Sequence, residues 1–251
     1  MKDNLPENPA ERKVLVVLDE ADYDGCEYDD EGRELLLNPE VSVQQFPVES
    51  NDERLLHLQR QGLLRPGAML LQSPYDGDQY VDIADAEDSF AVQKYLLSSS
   101  VCMHLGAKEV RVERILVRDE TGETEVNIGG DKTGGQADLS AGHERVEKLC
   151  SQISLVDKFE GSEPNVNAAE DLMREAALLD NPILQSLLEM AKVDNNRIKS
   201  RRFQLDLTSE VKKRLELACS VGIPNIARVG GDLDRVFQEN IEYRVSVAVD
   251  F

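Results

Sequence analysis

The last eleven residues of the sequence place an apolar side chain at every second position. The apolar positions are Ile241, Tyr243, Val245, Val247, Val249 and Phe251, and the residues between them are polar or small. A period of two is typical of a β-strand with one buried face. A second segment, 14–18, is the continuous apolar run Val-Leu-Val-Val-Leu, which predicts a strand buried on both faces. The chain must therefore contain β-sheet that packs against other elements.

Helical periodicity accompanies these strands. The longest helical pattern runs from Ala84 to Leu105 and ends at Gly106. It is followed by predicted strands at 109–118 and 124–128, and a shift in the apolar phase of the first strand indicates a bulge or two-sided burial. A predicted helix at 209–219 is followed by a candidate strand at 226–237 and the strand at 241–251. We expect an α+β fold with a mainly antiparallel sheet and helices packed on it, and one interpretation has two helix–hairpin units.

Shorter patterns complete the expected secondary structure. They predict strands at 41–48, 68–72 and 198–207, a short helix at 32–37, and a helix that begins after Ser50 as its cap. Residues 168–194 predict two short helices broken at Asn181-Pro182. Residues 73–78 and the glycine-rich stretch 129–135 are predicted loops, and 144–159 fits either a helix or a strand.

Composition along the chain suggests a division into domains. Residues 1–12 have two prolines and no periodicity, so we expect a disordered leader. Residues 13–160 form a predicted acidic N-terminal α+β domain. A polar stretch at 160–167 marks the boundary to a C-terminal α+β region, 161–251, with a helical hairpin and terminal strands. A single domain is the alternative, since 251 residues suit either arrangement.

The formal net charge of −21 is the most unusual property of the composition. Residues 19–34 hold nine carboxylates and one basic residue, Arg33, and residues 76–88 hold six carboxylates and no basic residue. A strongly negative surface disfavours binding to nucleic-acid phosphates or anionic lipid, and it speeds encounter with a basic partner. We therefore expect no direct nucleic-acid partner and no membrane partner.

The four cysteines are widely scattered, which does not resemble a secreted disulfide framework. The first ten residues lack the apolar segment of a secretory signal, and no apolar run approaches the ~20 residues of a membrane span. We expect a soluble protein of the cytoplasm.

The sharpest local motif is acidic. Glu20, Asp22, Asp24 and Glu31 stand at positions 1, 3, 5 and 12 of a twelve-residue stretch with Gly25 at position 6. This spacing resembles an EF-hand calcium loop, which implies those four carboxylates as Ca²⁺ or Mg²⁺ ligands. The stretch departs from the motif in having Glu at the first position, Glu27 at the usual apolar position, and a strand before it. The alternative is a solvated acidic loop without a cofactor.

Catalytic patterns are weaker. Asp76, Asp78, Asp82 and Asp85 could add carboxylates to a divalent-metal site, which makes a metal-dependent enzyme one hypothesis. The glycine-rich stretch 129–135 lacks the spacing of a phosphate-binding loop. No residue is predicted as a nucleophile, because the cysteines and the three histidines form no known catalytic spacing. A non-enzymatic role is favoured.

The hypothesis that needs the fewest assumptions is a protein-interaction or regulatory protein that binds a basic partner surface. Its predicted partner-binding residues comprise five carboxylates and three arginines: Asp19, Asp29, Asp30, Asp76, Asp78, Arg197, Arg201 and Arg202. The arginines belong to a basic cluster that could receive the acidic segment of a second copy, so self-association is also expected. An acidic mimic of nucleic acid is the remaining alternative.

Overall fold

The computed structural model describes residues 4–119, 122–128, 141–193, 198–220 and 241–251, and only the backbone at Glu31, Ala141 and Ser220. The described strands are β1 (Val14–Leu18), β2 (Val41–Gln45), β3 (Met69–Gln72), β4 (Tyr80–Asp82), β5 (Glu109–Asp119), β6 (Gly122–Asn127), β7 (Val156–Lys158), β8 (Ser200–Asp206) and β9 (Glu242–Asp250). The described α-helices are α1 (Glu20–Tyr28), α2 (Asp30–Leu37), α3 (Glu53–Arg60), α4 (Ala86–His104), α5 (Ala141–Gln152), α6 (Val166–Glu175), α7 (Pro182–Ala191) and α8 (Ser209–Ser220). Short 3-10 helices lie at Pro9–Glu11 and Ile83–Asp85. The predicted α+β class is confirmed.

The chain forms two compact units, and each unit is built from two separate stretches of sequence. Among the described residues, unit 1 contains 4–89 and 210–220, and unit 2 contains those between 90 and 209 together with 241–251. Composition along the sequence does not reveal that the chain leaves each unit and later returns to it. The boundary proposed between residues 160 and 161 stays a prediction.

Unit 1 contains a four-stranded sheet in the order β2-β1-β3-β4. All five residues of β1 are buried, as predicted for a strand between two covered faces. β1 pairs with β2 in parallel and with β3 antiparallel, so the sheet is mixed. Leu15, Val17, Leu55, Leu58 and Leu70 lie together in the core of this unit.

The expected disordered leader is wrong for residues 4–12. Leu5 is buried in the core of unit 1, and its backbone N–H donates to the Asp52 carboxylate at 3.0 Å. Arg12 is also buried, and its guanidinium donates to the Gly77 carbonyl and to Asp78. These residues are ordered because one buried apolar side chain packs in the core and one buried cation is hydrogen-bonded to the loop between β3 and β4.

The cap of α3 also differs from the prediction. Asp52, not Ser50, is the N-cap, and its carboxylate accepts from the Arg54 N–H at 2.9 Å. The Ser50 hydroxyl instead accepts at 3.0 Å from the N–H of Asp52, the cap residue itself. A carboxylate at the cap satisfies an unpaired N–H and interacts favourably with the helix dipole.

Unit 2 contains a five-stranded antiparallel sheet in the order β6-β5-β9-β8, with β7 also paired to β5. The register of β5 against β9 shifts between Val112 and Arg114, so of the two interpretations of the apolar phase, the bulge agrees with the structure. On the central strands β5 and β9, the residues of one face are buried, and they include Val110, Ile115, Tyr243 and Val247. The hairpin β5–β6 follows α4 as predicted. The candidate strand 226–237 and the glycine-rich stretch 129–135 lie outside the described residues.

The helices of unit 2 agree closely with the expected breaks. α4 ends just before Gly106, whose φ of +92° is left-handed and favours glycine. Asn181 caps α7, and Pro182 occupies its first turn, so the Asn-Pro break is confirmed. The ambiguous segment 144–159 contains the end of α5 and the short strand β7. In the described residues, no helix combines the length and apolarity that a membrane span needs.

Candidate functional site

The acidic residues 19–37 form two consecutive helices, which we call the acidic helix pair. Asp19 caps α1 by accepting from the Asp22 N–H at 2.9 Å. Asp29 ends α1 and caps α2 by accepting from the Gly32 N–H at 3.2 Å. Two of the predicted partner-binding carboxylates therefore also define the ends of these helices.

The two helices pack closely at Cys26 and Gly32. A Cβ atom added at Gly32 would lie 2.4 Å from the Cys26 Cα atom, so only glycine fits there. Cys26 and Leu35 are buried beneath the pair. Burial raises the pKa of the Cys26 thiol, and the charges of Asp22 and Asp29 raise it further. This cysteine is therefore a packing residue and stays protonated at neutral pH.

The outer surface of the acidic helix pair combines negative charge with two exposed apolar side chains. Tyr28 is 82% exposed and Leu37 is 81% exposed, the largest values for big apolar residues in the described part of the chain. The single basic residue, Arg33, lies 3.6 Å from Asp30 and donates to the Glu27 carbonyl at 2.8 Å. Arg33 is thus bonded to residues of the pair itself, and the surrounding carboxylates dominate the local electrostatic potential.

The calcium-loop interpretation receives no support from this geometry. Glu20, Asp22 and Asp24 lie in a regular helix, and Gly25 occupies a helical position instead of a sharp turn. Helical residues are ~100° apart, so Asp22 projects from a different side of α1 than Glu20 and Asp24 do. No group of three or more His, Cys, Asp or Glu side chains that could hold a metal ion occurs in the described residues. The side chain of Glu31 lies outside that description.

The second acidic segment has a structural role in unit 1. The Asp76 carboxylate accepts from the Asp78 N–H at 2.9 Å within the predicted loop. Asp78 forms an ion pair with the buried Arg12 at 2.8 Å, although its own side chain is 68% exposed. Asp82 is paired with Arg65 at 2.7 Å. Asp78 and Asp82 therefore hold a loop and a strand in place through ion pairs with arginines, and Asp76 stabilises the loop through its hydrogen bond.

The predicted basic residues that the structure describes, Arg201 and Arg202, lie far from the acidic helix pair in the sequence and have local contacts in unit 2. Arg201 donates to the Ser186 hydroxyl at 3.0 Å, and Arg202 forms an ion pair with Glu113 at 3.0 Å. Arg197 lies outside the described residues. The described arginines thus stabilise neighbouring strands and helices of their own unit, as exposed ion pairs do to a modest degree.

The cysteines of unit 2 are unsuited to nucleophilic chemistry. Burial raises the pKa of the Cys102 thiol to about 12, so no appreciable thiolate exists at neutral pH. Burial and the nearby Glu147 raise the pKa of Cys150 as well. His143 and Cys150 lie on one helix, α5.

Sequence reasoning missed the apolar part of the surface. Tyr28 and Leu37 carry no sequence signal of exposure, because each is an apolar residue at the end of a helix, where side chains of this kind are usually buried. Only the position of Leu37 before Asn38-Pro39, where the helix must end, could have suggested it. The sequence matches no protein-family model, and comparisons with curated proteins and solved structures find no similar protein.

Proposed function

We propose that this protein is an interaction module whose acidic helix pair binds a basic, partly apolar segment of a partner protein. The observation that carries the proposal is the coincidence of two exposed apolar side chains, Tyr28 and Leu37, with the most acidic stretch of the chain. Charge alone would serve solubility. An exposed tyrosine and leucine do not serve solubility, and tyrosine is among the residues that most often anchor protein interfaces.

The two components have different physical roles. The carboxylates attract a cationic partner over a distance comparable to the Debye length, about 8–10 Å at physiological salt, and so raise the association rate. The apolar side chains release water on contact and slow dissociation. A partner segment that combines Lys or Arg with Leu satisfies both.

A second copy of the chain is a less suitable partner. The described arginines of the predicted basic cluster, Arg201 and Arg202, already have hydrogen-bond or ion-pair partners in their own unit. Binding the acidic helix pair of another copy would require these contacts to be exchanged for new ones at little net gain. The proposal therefore commits to a different protein as the partner.

The test uses a labelled helical peptide of Lys, Arg and Leu, with binding measured by fluorescence anisotropy. We expect the triple variant Asp24→Asn, Glu27→Gln, Glu34→Gln to weaken binding about tenfold, because three exposed charges of the surface are removed. The double variant Tyr28→Ser, Leu37→Ser should weaken it by a similar factor. Raising NaCl from about 50 to about 300 mM should weaken binding to the unmodified protein.

The matched control neutralises three exposed carboxylates elsewhere, by Glu175→Gln, Asp180→Asn and Glu216→Gln, with the same change in net charge. It should change the affinity less than twofold. Equal losses in both triple variants would mean that the peptide senses only the overall charge, and the proposal would be wrong. Sedimentation velocity at low salt adds a second check, since a stable dimer would mean that a second copy of the chain is the partner.

A further inference from the structure

The strand β8 (Ser200–Asp206) forms one edge of the five-stranded sheet in unit 2 and has no part in the proposed interaction surface. It pairs with β9 on one side, and no second strand lies beside it in the residues that the structure describes. Ser200, Arg202 and Gln204 are exposed along its length. An accessible edge of seven residues is long enough to pair with a further strand.

The register shows which backbone groups of β8 point away from β9. The Phe251 N–H donates to the Lys199 carbonyl at 2.9 Å, and the Leu207 N–H donates to the Tyr243 carbonyl at 2.8 Å, one at each end of the ladder. Because hydrogen-bonded pairs alternate along antiparallel strands, the odd-numbered residues of β8 bond to β9. The even-numbered residues from 200 to 206 therefore direct their N–H and C=O groups outward. Within the described part of the chain, these groups form no hydrogen bond.

Apolar side chains lie beside the same edge on the face that α7 covers. The Arg201 guanidinium donates to the Ser186 hydroxyl and lies 3.0 Å from the Met190 Sδ atom, so residues one turn apart on α7 contact β8. Met190 is 41% exposed, and Phe203, two residues after Arg201 and on the same face, is partly exposed. A strand added to β8 would direct every second side chain toward these apolar groups.

The two edges of this sheet carry opposite charge. β8 contains Arg201 and Arg202, the exposed Lys199 precedes it, and its single carboxylate is at its last residue. β6, at the opposite edge, contains Glu123 and Glu125 and no basic residue. In a chain of net charge −21, the edge at β8 is therefore the one that favours an anionic strand.

The face of β8 opposite α7 provides contacts for that charge. The Arg202 side chain is 79% exposed, and its ion pair with Glu113 is formed at Nε at 3.0 Å. Its terminal nitrogens can therefore donate to a further carboxylate without loss of that pair. The two faces of the edge thus favour a strand whose side chains are alternately apolar and acidic.

We propose that β8 binds an extended peptide segment of a partner protein in which Val or Thr alternates with Glu. The outward N–H and C=O groups of β8 supply the hydrogen bonds of the added strand, and the alternating side chains supply the selectivity. These main-chain bonds form while Arg201 and Arg202 keep their own contacts. The site belongs to unit 2 and the acidic helix pair to unit 1, so either proposal can fail without the other.

The experiment titrates the full-length protein into the labelled peptide Thr-Glu-Val-Glu-Val-Glu-Thr and measures fluorescence anisotropy. We expect saturable binding with a dissociation constant below about 0.5 mM, although the overall field of the protein repels this peptide. The peptide Glu-Glu-Glu-Thr-Val-Val-Thr has the same composition without the alternation. It should bind at least about tenfold more weakly, because its apolar and acidic side chains fall on the wrong faces.

N-methylated peptides test whether the main chain is the ligand. One peptide is methylated at the backbone nitrogens of its glutamates, and the other at those of its valines. Because only one of these sets faces β8 in an added strand, one peptide should lose about tenfold or more in affinity. The other should stay within about threefold of the unmodified peptide, since its methyl groups face away from the edge.

Two substitutions at one position test the edge itself. Gln204→Pro removes an outward N–H and places its ring on the open side of β8, so binding should fall at least about tenfold. Gln204→Thr keeps the N–H and should change the affinity less than about twofold. Circular dichroism and urea unfolding show whether both variants keep the fold.

A second pair of variants tests the charge. The double variant Lys199→Gln, Arg202→Gln should weaken binding about fivefold, because two cations beside the added strand are removed. The matched control is Arg118→Gln, Lys158→Gln, at exposed positions of β5 and β7 on the far side of β9 from β8. It should change the affinity less than about twofold.

Four results would overturn the proposal. They are no saturable binding of the alternating peptide, equal binding of the rearranged peptide, equal affinities of the two N-methylated peptides, and unchanged affinity in a folded Gln204→Pro variant. Sedimentation velocity adds a fifth. A dimer that Gln204→Pro abolishes would make a second copy of the chain the strand that pairs with β8.

Discussion

Asp52 connects several parts of unit 1 through its carboxylate. It caps α3, accepts from the Leu5 N–H, and forms an ion pair with Arg54 at 2.7 Å. Its hydrogen bonds from the Arg54 side chain lower its pKa to about 2, and the backbone N–H groups of Arg54 and Leu5 act in the same direction. Asp52 therefore stabilises the folded chain in its charged form.

The first prediction concerns Asp52→Asn. Because the folded pKa is below the unfolded value of 3.8, the carboxylate stabilises the protein above about pH 4, and this contribution is lost as the pH falls through about 2. At pH 7 we expect the variant to lose about 1–2 kcal/mol of unfolding free energy, measured with urea. Asp180→Asn, at an exposed position, serves as the control. A deficit that persists undiminished at pH 2 would show that charge is not the cause.

Arg12 shows the same principle for a cation. Its side chain is almost fully buried, and it donates to Gly77 and Asp78 while Tyr80 donates to its backbone carbonyl. All of these partners are more than sixty residues distant in sequence. A buried charge of this kind is stable only when its partners are in place, so the start of the chain depends on the loop after β3.

Two glycines of the acidic helix pair provide a matched comparison at the scale of the helix. Gly32 lies against the Cys26 backbone, whereas a Cβ at Gly25 would meet nothing within 4 Å. Gly32→Ala should therefore destabilise the protein by about 1–3 kcal/mol, because the neighbouring backbone cannot move aside freely. Gly25→Ala should stabilise it by about 0.5–1 kcal/mol, since alanine is the better helix former. Urea unfolding of both variants tests this, and effects of equal sign would contradict the packing of α1 on α2.

Elements with strong periodicity could be predicted from the sequence. The strand at 14–18, the bulge in β5 and the break at Asn181-Pro182 follow from local pattern or local stereochemistry, so their three-dimensional context adds little. α1 was not predicted, because Asp, Tyr and Gly are poor helix formers. It forms because Asp19 caps it, acidic residues occupy its first turn, and Cys26 packs on Gly32.

The candidate sites could be predicted only in part. The acidic stretch is evident from composition. Whether its carboxylates converge on an ion or spread over a surface depends on whether the stretch forms helices. A cavity that unit 2 contains beside the end of α4 could not be predicted from the sequence. Its lining joins Leu105, Leu187 and Phe251, which come together only through the pairing of distant strands and helices.

At the scale of the whole molecule, the net charge of −21 acts on stability and on binding with opposite signs. Repulsion among like charges destabilises a compact chain, and salt screens that repulsion. The same screening weakens attraction between the acidic helix pair and a basic peptide. A change in salt concentration therefore separates the general effect of charge on stability from its proposed local effect on binding.

The last prediction follows from this opposition. Raising NaCl from about 20 to about 300 mM should raise the melting temperature by a few degrees, because self-repulsion over a charge of this size is screened within a Debye length of about 6 Å. Over the same range the affinity for the basic peptide should fall. Choline chloride at equal ionic strength should reproduce both effects, which excludes specific sodium binding. A melting temperature that falls with salt would mean that the ion pairs of Arg12, Arg54 and Arg202 outweigh the surplus of carboxylates, and the negative field would then be too well compensated to attract a cationic partner.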